Sequence, residues 1–122
     1  MWKPDFSYYI ITGIENKDTA LPFPVSLQGM VGQICYIGYL RCGEHAFINA
    51  VFSHDPTRFR PIRTSLVEDF TETPDGSVMH IETHNRIYHL RRASLEEIHN
   101  GLRGVQNRGL TIPYKVSGQY GT

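Results

Sequence analysis

The sequence predicts an α+β fold, a small antiparallel β-sheet or partly open barrel of five to seven strands followed by a C-terminal helix. Three observations carry this. From Pro61 to Ala93, three strand-like runs are separated by Pro74-Asp75-Gly76 and by His84-Asn85, the residue types that reversals require. Upstream lie further runs rich in aromatic and β-branched residues, which bring the strand count before the helix to five or six. Downstream, Ser94-Leu95-Glu96-Glu97 is a capping box, with the Ser hydroxyl placed for the N3 amide and Glu97 for the Ser94 amide.

Taken in order, Phe6 to Ile14 reads as an opening strand ending at Gly13. Glu15 to Pro24, punctuated by Asn16, Asp18, Pro22 and Pro24, reads as a surface connection, with Val25 to Leu27 a short edge strand. In GMVGQICYIGYL glycines 29, 32 and 38 mark bulges or close backbone approaches. Arg41-Cys42-Gly43-Glu44 is a turn. His45 to Phe52 is apolar on both parities and is placed centrally in the sheet, and Ser53 to Pro61 is a polar loop between prolines.

The meander then starts with Ile62, Leu66 and Phe70 on one parity. With His84-Asn85 as the second turn, Met79 faces Leu90 and Ile81 faces Tyr88, while Val78, His80 and Glu82 face Arg91, His89 and Ile87 on a half-solvated side. Leu95, Ile98, Leu102 and Val105 recur at helical spacing toward the sheet, the helix running to about Asn107 or Arg108 with Gly109 after it. Thr111 to Val116 reads as a last edge strand, and the terminal SGQYGT as flexible.

With 122 residues and 40% apolar content the chain is expected to form one domain spanning residues 1–122. Lys plus Arg equals Asp plus Glu at 12 each, so no overall field recruits long nucleic acid or an anionic membrane. Nine of the twelve cations are Arg, whose planar fork suits phosphate. Two cysteines, Cys35 and Cys42, are read as free thiols. The N-terminus lacks a basic region followed by an apolar run, and no apolar stretch reaches spanning length, so a cytoplasmic protein without membrane partners is expected.

Most catalytic signatures are missing: G-x-S-x-G, Walker and G-x-G-x-x-G motifs do not occur, and no cofactor is expected. His80 and His84, four apart on a strand, are too distant to share an ion, at about 13 Å. His80 and His89 form a cross-strand pair without a third ligand nearby, which reads as a polar pair on a half-exposed face. A small His-dependent ribonuclease or phosphodiesterase, using His45 or His54 with the Arg58 to Arg63 run, is the alternative activity, and a ligand-free β-sheet interaction module a third reading.

The positive signal is arginine interleaved with rings and hydroxyls. Arg58, Phe59, Arg60, Arg63 and Thr64 form one set, and Asn85, Arg86 and Tyr88 repeat the combination at the far turn, with Arg91 close by. Such sets pair phosphates, stack bases and bind ribose hydroxyls. Balanced net charge favours a small ligand over a polymer. On the helix, Glu97, Gly101, Gly104 and Arg108 share a stripe opposite the core-facing row, which predicts a dimer or higher homo-oligomer in which Arg103 or Arg108 reaches a neighbour's ligand.

Thr64-Ser65-Leu66-Val67, a turn, Thr83-His84-Asn85-Arg86-Ile87-Tyr88 and a capped C-terminal helix together resemble small phage and prophage proteins of Gram-positive hosts, most of all the first-described Thoeris anti-defence sponge family. The resemblance spans Phe59 to Arg108. It implies an antiparallel sheet with C-terminal helical structure, assembly through helices and sheets, and sequestration, without cleavage, of cyclic ADP-ribose isomers made by TIR-domain defence enzymes. Some members also bind cyclic oligonucleotides. It implies a ligand role for Asn85 and the neighbouring Arg and aromatic positions, and a host-cytoplasmic location if the chain is phage-encoded. Two C-terminal helices are implied where the sequence spells one.

Overall fold

Tyr8–Asn16 (β1), Ile34–Tyr39 (β2), His45–Phe52 (β3), Asp55–Glu72 (β4), Val78–Thr83 (β5) and Arg86–Arg92 (β6) pair in sequence order, all antiparallel, and β6 returns to β1 in the computed structural model, which describes residues 7–106. The strands thus form a ring. Two helices accompany it, Val25–Gln28 (α1) between β1 and β2 and Leu95–Leu102 (α2) after β6. The α+β class and the strand number follow the sequence pattern.

Alternation along the strands sorts side chains into two cores. Tyr9, Ile11, Cys35, Ile37, Ile48, Ile62, Val67, Met79, Ile81, Tyr88 and Leu90 fill the inside of the ring. Ile10, Ile34, Tyr36, Val51 and Phe59 take the opposite parity on the outer face, where Ile98, Leu102 and Val105 cover them. One sheet therefore buries apolar residues on both sides, which is why β1 to β3 read as nearly continuous hydrophobic runs.

The β5–β6 register is the one the alternation dictates: Met79 opposite Leu90, His80 opposite His89, Ile81 opposite Tyr88. Gly76 takes the turn with φ +73° and Gly43 the β2–β3 turn with φ +87°, the left-handed region that favours glycine. At Gly38 the β2–β3 register slips, giving the bulge that glycine foretold.

Four expectations are corrected. Residues 25–28 form a helical turn, because Gln28 and Gly29 donate back to the Pro24 and Val25 carbonyls at 3.1 and 3.0 Å, and the three-residue spacing of Leu27 and Met30 drops both into the core. The proline-bracketed stretch before Pro61 is strand from Asp55 onward. That half of β4 pairs with β3 alone, while β5 takes over at Val67, and an edge tolerates residues lacking an N–H. Register slips at His45/Phe47 and Val67/Asp69 rotate the strand between its two halves, so Leu66 is exposed and Val67 buried.

The fourth correction concerns α2. Its capping box forms as predicted, with Ser94 Oγ accepting from the Glu97 amide at 3.1 Å and Glu97 Oε1 from the Ser94 amide at 2.9 Å. The helix ends at Leu102, before Gly104, because two glycines so close together give it little support. Leu95 is solvent-exposed rather than packed. Gly101 faces the sheet: a Cβ there would lie 2.8 Å from Ile34 Cγ2. Glu97 is engaged by Arg91 through two hydrogen bonds of 2.8 and 2.7 Å. Two of the four residues of the stripe expected to drive self-association, Glu97 and Gly101, are thus engaged within the chain. Arg108 and the strand expected at Thr111 to Val116 lie outside the described residues.

Candidate functional site

Because β4 pairs with β5 only from Val67 onward, its first half overhangs the His84-Asn85 turn and presents an unladdered edge. Beside this overhang lies a groove of about 500 Å³. One wall is the run Arg58 to Arg63, the other Arg86 and Tyr88 of β6, and Ser26, Leu27 and Met30 from α1 and its exit supply the floor. The volume falls in the range of small-molecule sites, about 300–1,000 Å³.

Four arginines line this groove, Arg63 at the point where it borders a second depression, and one carboxylate, Asp55, is in contact with two of them. Asp55 Oδ2 accepts from Arg60 Nη2 at 3.0 Å and lies 3.7 Å from Arg58 Nε. The Thr57 hydroxyl and then Arg60 hold the Asp55 carboxyl below its ordinary pKa, so it stays charged. Arg60 also spreads over the Phe52 ring, with Cζ 5.0 Å from the centroid, and its buried Nε has no hydrogen-bond partner among the described residues. Arg86 donates Nε–H to Asn16 Oδ1 at 2.8 Å, a neutral anchor that aims the guanidinium without cancelling its charge. Arg63 has no ion pair among the described residues. Positive charge is therefore in excess along the groove, and arginine forks pair phosphate or carboxylate oxygens in a bidentate way.

Six predicted residues meet at the groove: Arg58, Phe59, Arg60, Arg63, Arg86 and Tyr88. The two rings are not free to stack on a base. Phe59 is 8% exposed and packs at 4.9 Å, edge-on, against Tyr36, and Tyr88 is 1% exposed within the ring, burial pushing its phenol pKa up. Thr64 is buried and structural, its Oγ1 accepting from the Ala46 amide at 2.9 Å and donating to the Ser65 carbonyl at 2.6 Å, which bridges the β3–β4 irregularity. Asn85 holds the hairpin turn, its amide donating to Ser65 Oγ and its carbonyl accepting from the Lys17 amide. Arg91 is locked to Glu97, and Arg103 donates to Asn100 Oδ1 at 3.2 Å on the helix. None of these four lines the groove.

No protein-family model matches the chain, and neither does any curated protein or solved structure. The site must be read from its own chemistry.

Among the described residues the groove lining contains no His, Cys, Asp or Glu, and its one phenol, Tyr88, is buried. His45 sits elsewhere, in a second depression of about 310 Å³ with Tyr39, Glu44, Phe47, Arg63 and Leu66, its Nδ1 donating to the Thr64 carbonyl at 2.6 Å. His54 lies in the β3–β4 turn with its ring 5.1 Å from that of Phe52. His45 opens β3 and His54 lies beyond its far end, at least about 23 Å away at the rise of a strand, too far to act on one phosphate. What sequence reasoning missed is the floor. Only the spacing of Leu27 and Met30 signals it, since Ser26 has no distinguishing pattern. Among the described residues no helix is long and apolar enough to cross a membrane.

Proposed function

We propose that this protein is a non-enzymatic binding protein that sequesters a small phosphate-bearing ligand, of the cyclic nucleotide class, in the arginine groove. The observation that carries the reading is that Arg58, Arg60, Arg63 and Arg86 line one cavity, with Asp55 as the carboxylate paired to Arg58 and Arg60. Retention without cleavage is supported by a lining that, among the described residues, has no His, Cys, Asp or Glu and whose Tyr88 phenol is buried. The resemblance to the Thoeris anti-defence sponges makes cyclic ADP-ribose isomers the first ligands to try and cyclic oligonucleotides the second. Recognition then rests on phosphate contacts, with Leu27, Met30 and Ile62 supplying apolar surface beneath the ligand. The same reading makes the protein a cytoplasmic homo-oligomer whose neighbouring protomer closes the open side of the groove. Light scattering with and without ligand measures that.

The test is to incubate the protein with a panel of cyclic nucleotides, wash, heat, and identify what is released by mass spectrometry. Intact ligand is expected, released 10- to 100-fold more weakly held from Arg63→Ala and Arg86→Ala, since each removes a charge-assisted contact of about 1.5–3 kcal/mol. Neither change empties the core, so melting temperatures stay near wild type. Release of a cleaved product, or no retention of any phosphate-bearing compound, refutes the proposal.

A further inference from the structure

On the outer face of the β1–β6–β5 side, away from the groove, two imidazoles point at each other. His80 Nδ1 lies 2.6 Å from His89 Nδ1, with the rings near perpendicular at 77°. Such a contact requires one proton shared between two nitrogens, since two lone pairs or two N–H groups would repel. The opposite nitrogen of His89, Nε2, meets Glu15 Oε1 of β1 at 2.7 Å. Glu15 fixes the tautomer: with Nε2–H donated to the carboxylate, the lone pair of His89 is on Nδ1, facing His80. Gly13, opposite His89 in the ladder, leaves the ring unobstructed, as even a Cβ there would stand 3.7 Å from His89 Cδ2.

A carboxylate behind a histidine whose other nitrogen is free is the outer-shell arrangement that orients metal-binding imidazoles and raises their basicity. We infer that His80 and His89 form a site for a borderline divalent transition ion, Zn²⁺ or Cu²⁺, which takes the place of the shared proton, with Glu15 as the positioning residue behind His89. The required movement is small. An ion about 2.0–2.1 Å from each nitrogen separates them by about 2.9 Å at a right angle and about 3.3 Å at the tetrahedral angle, so the rings part by about 0.3–0.7 Å and turn until both lone pairs meet at the ion. Among the described residues no group of three or more His, Cys, Asp or Glu is arranged around an ion, so water fills the remaining positions and the site stays open to solvent. Neighbouring charges do not compete: Glu82 is held by Lys17 at 2.5 Å and Arg91 by Glu97. Imidazole nitrogens with water in the shell select Zn²⁺ and Cu²⁺ over Mg²⁺ and Ca²⁺, which require oxygen ligands.

The experiment titrates the full chain with Zn²⁺ by calorimetry and with Cu²⁺ by electron paramagnetic resonance. One ion per chain is expected, with hyperfine coupling to two nitrogens. His80→Ala and His89→Ala each lower affinity at least 10-fold and remove the two-nitrogen signature, while Glu15→Gln weakens binding about 10-fold and keeps it. Both histidines lie on the sheet's outer face, and circular dichroism confirms that the variants fold. His84→Ala and Arg63→Ala bind the ion as wild type does, which separates this site from other exposed histidines and from the groove. Wild-type binding no tighter than that of the His80→Ala, His89→Ala double variant overturns the inference.

Discussion

Gly101→Ala and Gly104→Ala are the same substitution three residues apart, and the structure gives them opposite signs. Alanine in place of glycine favours a helix by about 1 kcal/mol. At Gly101 the new methyl meets Ile34 Cγ2 at 2.8 Å and Ile34 Cβ at 3.1 Å, inside ordinary contact distance. Ile34 is 3% exposed and β-branched, so its χ1 is restricted and the packing around it leaves little room to turn. The helix must lift from the sheet or the isoleucine must leave its rotamer, an overpacking cost of about 1–3 kcal/mol. The net loss is about 1 kcal/mol. At Gly104, past the helix end, the nearest atom is the Pro56 carbonyl oxygen at 3.9 Å, and alanine gains about 0.4–1 kcal/mol through the unfolded chain. The variants therefore differ by up to about 2 kcal/mol. Urea unfolding followed by circular dichroism resolves such a gap, and thermal melts should straddle wild type by a few degrees each way. A Gly101→Ala protein as stable as wild type would mean that α2 does not sit against Ile34.

Two further outcomes follow from buried and charged groups. Thr64→Val keeps the shape but strands the Ala46 amide, so it should cost about 1–3 kcal/mol in urea unfolding while Thr64→Ser stays close to wild type; equal stability of all three would remove the hydroxyl from the β3–β4 junction. Acid should weaken the fold in a defined window. Asp75, hydrogen-bonded by the Ser77 amide and hydroxyl and the Thr73 hydroxyl, is held at about 2 against an ordinary 3.8, and Glu97, held by Arg91 and the Ser94 amide, at about 2 against 4.5. Both are depressed in the folded state, so their contribution is full above pH 4.5 and is lost as pH falls toward 2. Asp75→Asn and Glu97→Gln should flatten the stability profile between pH 5 and 2; a slope unchanged in the double variant would refute this.

The β5–β6 hairpin was legible because strict alternation and a two-residue turn allow one register only. Residues 55–60 were not, since proline within an apolar run reads as a break until the partner strand shows that one edge is unladdered. Leu66 and Val67 exchange roles for a related reason: bulges arise from pairing with two neighbours at once, and no property of the strand itself announces them. The arginines of the groove were legible as a cluster because four of them share one β4 segment or the next hairpin. Phe59 was not recognisable as core, because an aromatic beside an arginine has the same local pattern whether it stacks on a ligand or on Tyr36, whereas alternation had already set Tyr88 on the hairpin's apolar face. Glu15 escaped notice because 74 residues separate it from His89, and only ring closure brings them together.

That closure governs how the chain comes to fold. β1 pairs with β2 over three positions but with β6 over seven, Tyr9 meeting Arg92 and Asn16 meeting Arg86. Most of the first strand's partners are thus synthesised last, and the nascent chain carries β1 largely unmatched until nearly all of the described residues have left the ribosome. Contacts of such long sequence separation make folding slow, since the loop must close before they reward it. A chain cut before Arg86 would expose two hydrogen-bonding edges, on β1 and on β5, of the kind that zip onto other chains. Truncation from the C-terminal side therefore leads to aggregation rather than to a smaller soluble sheet.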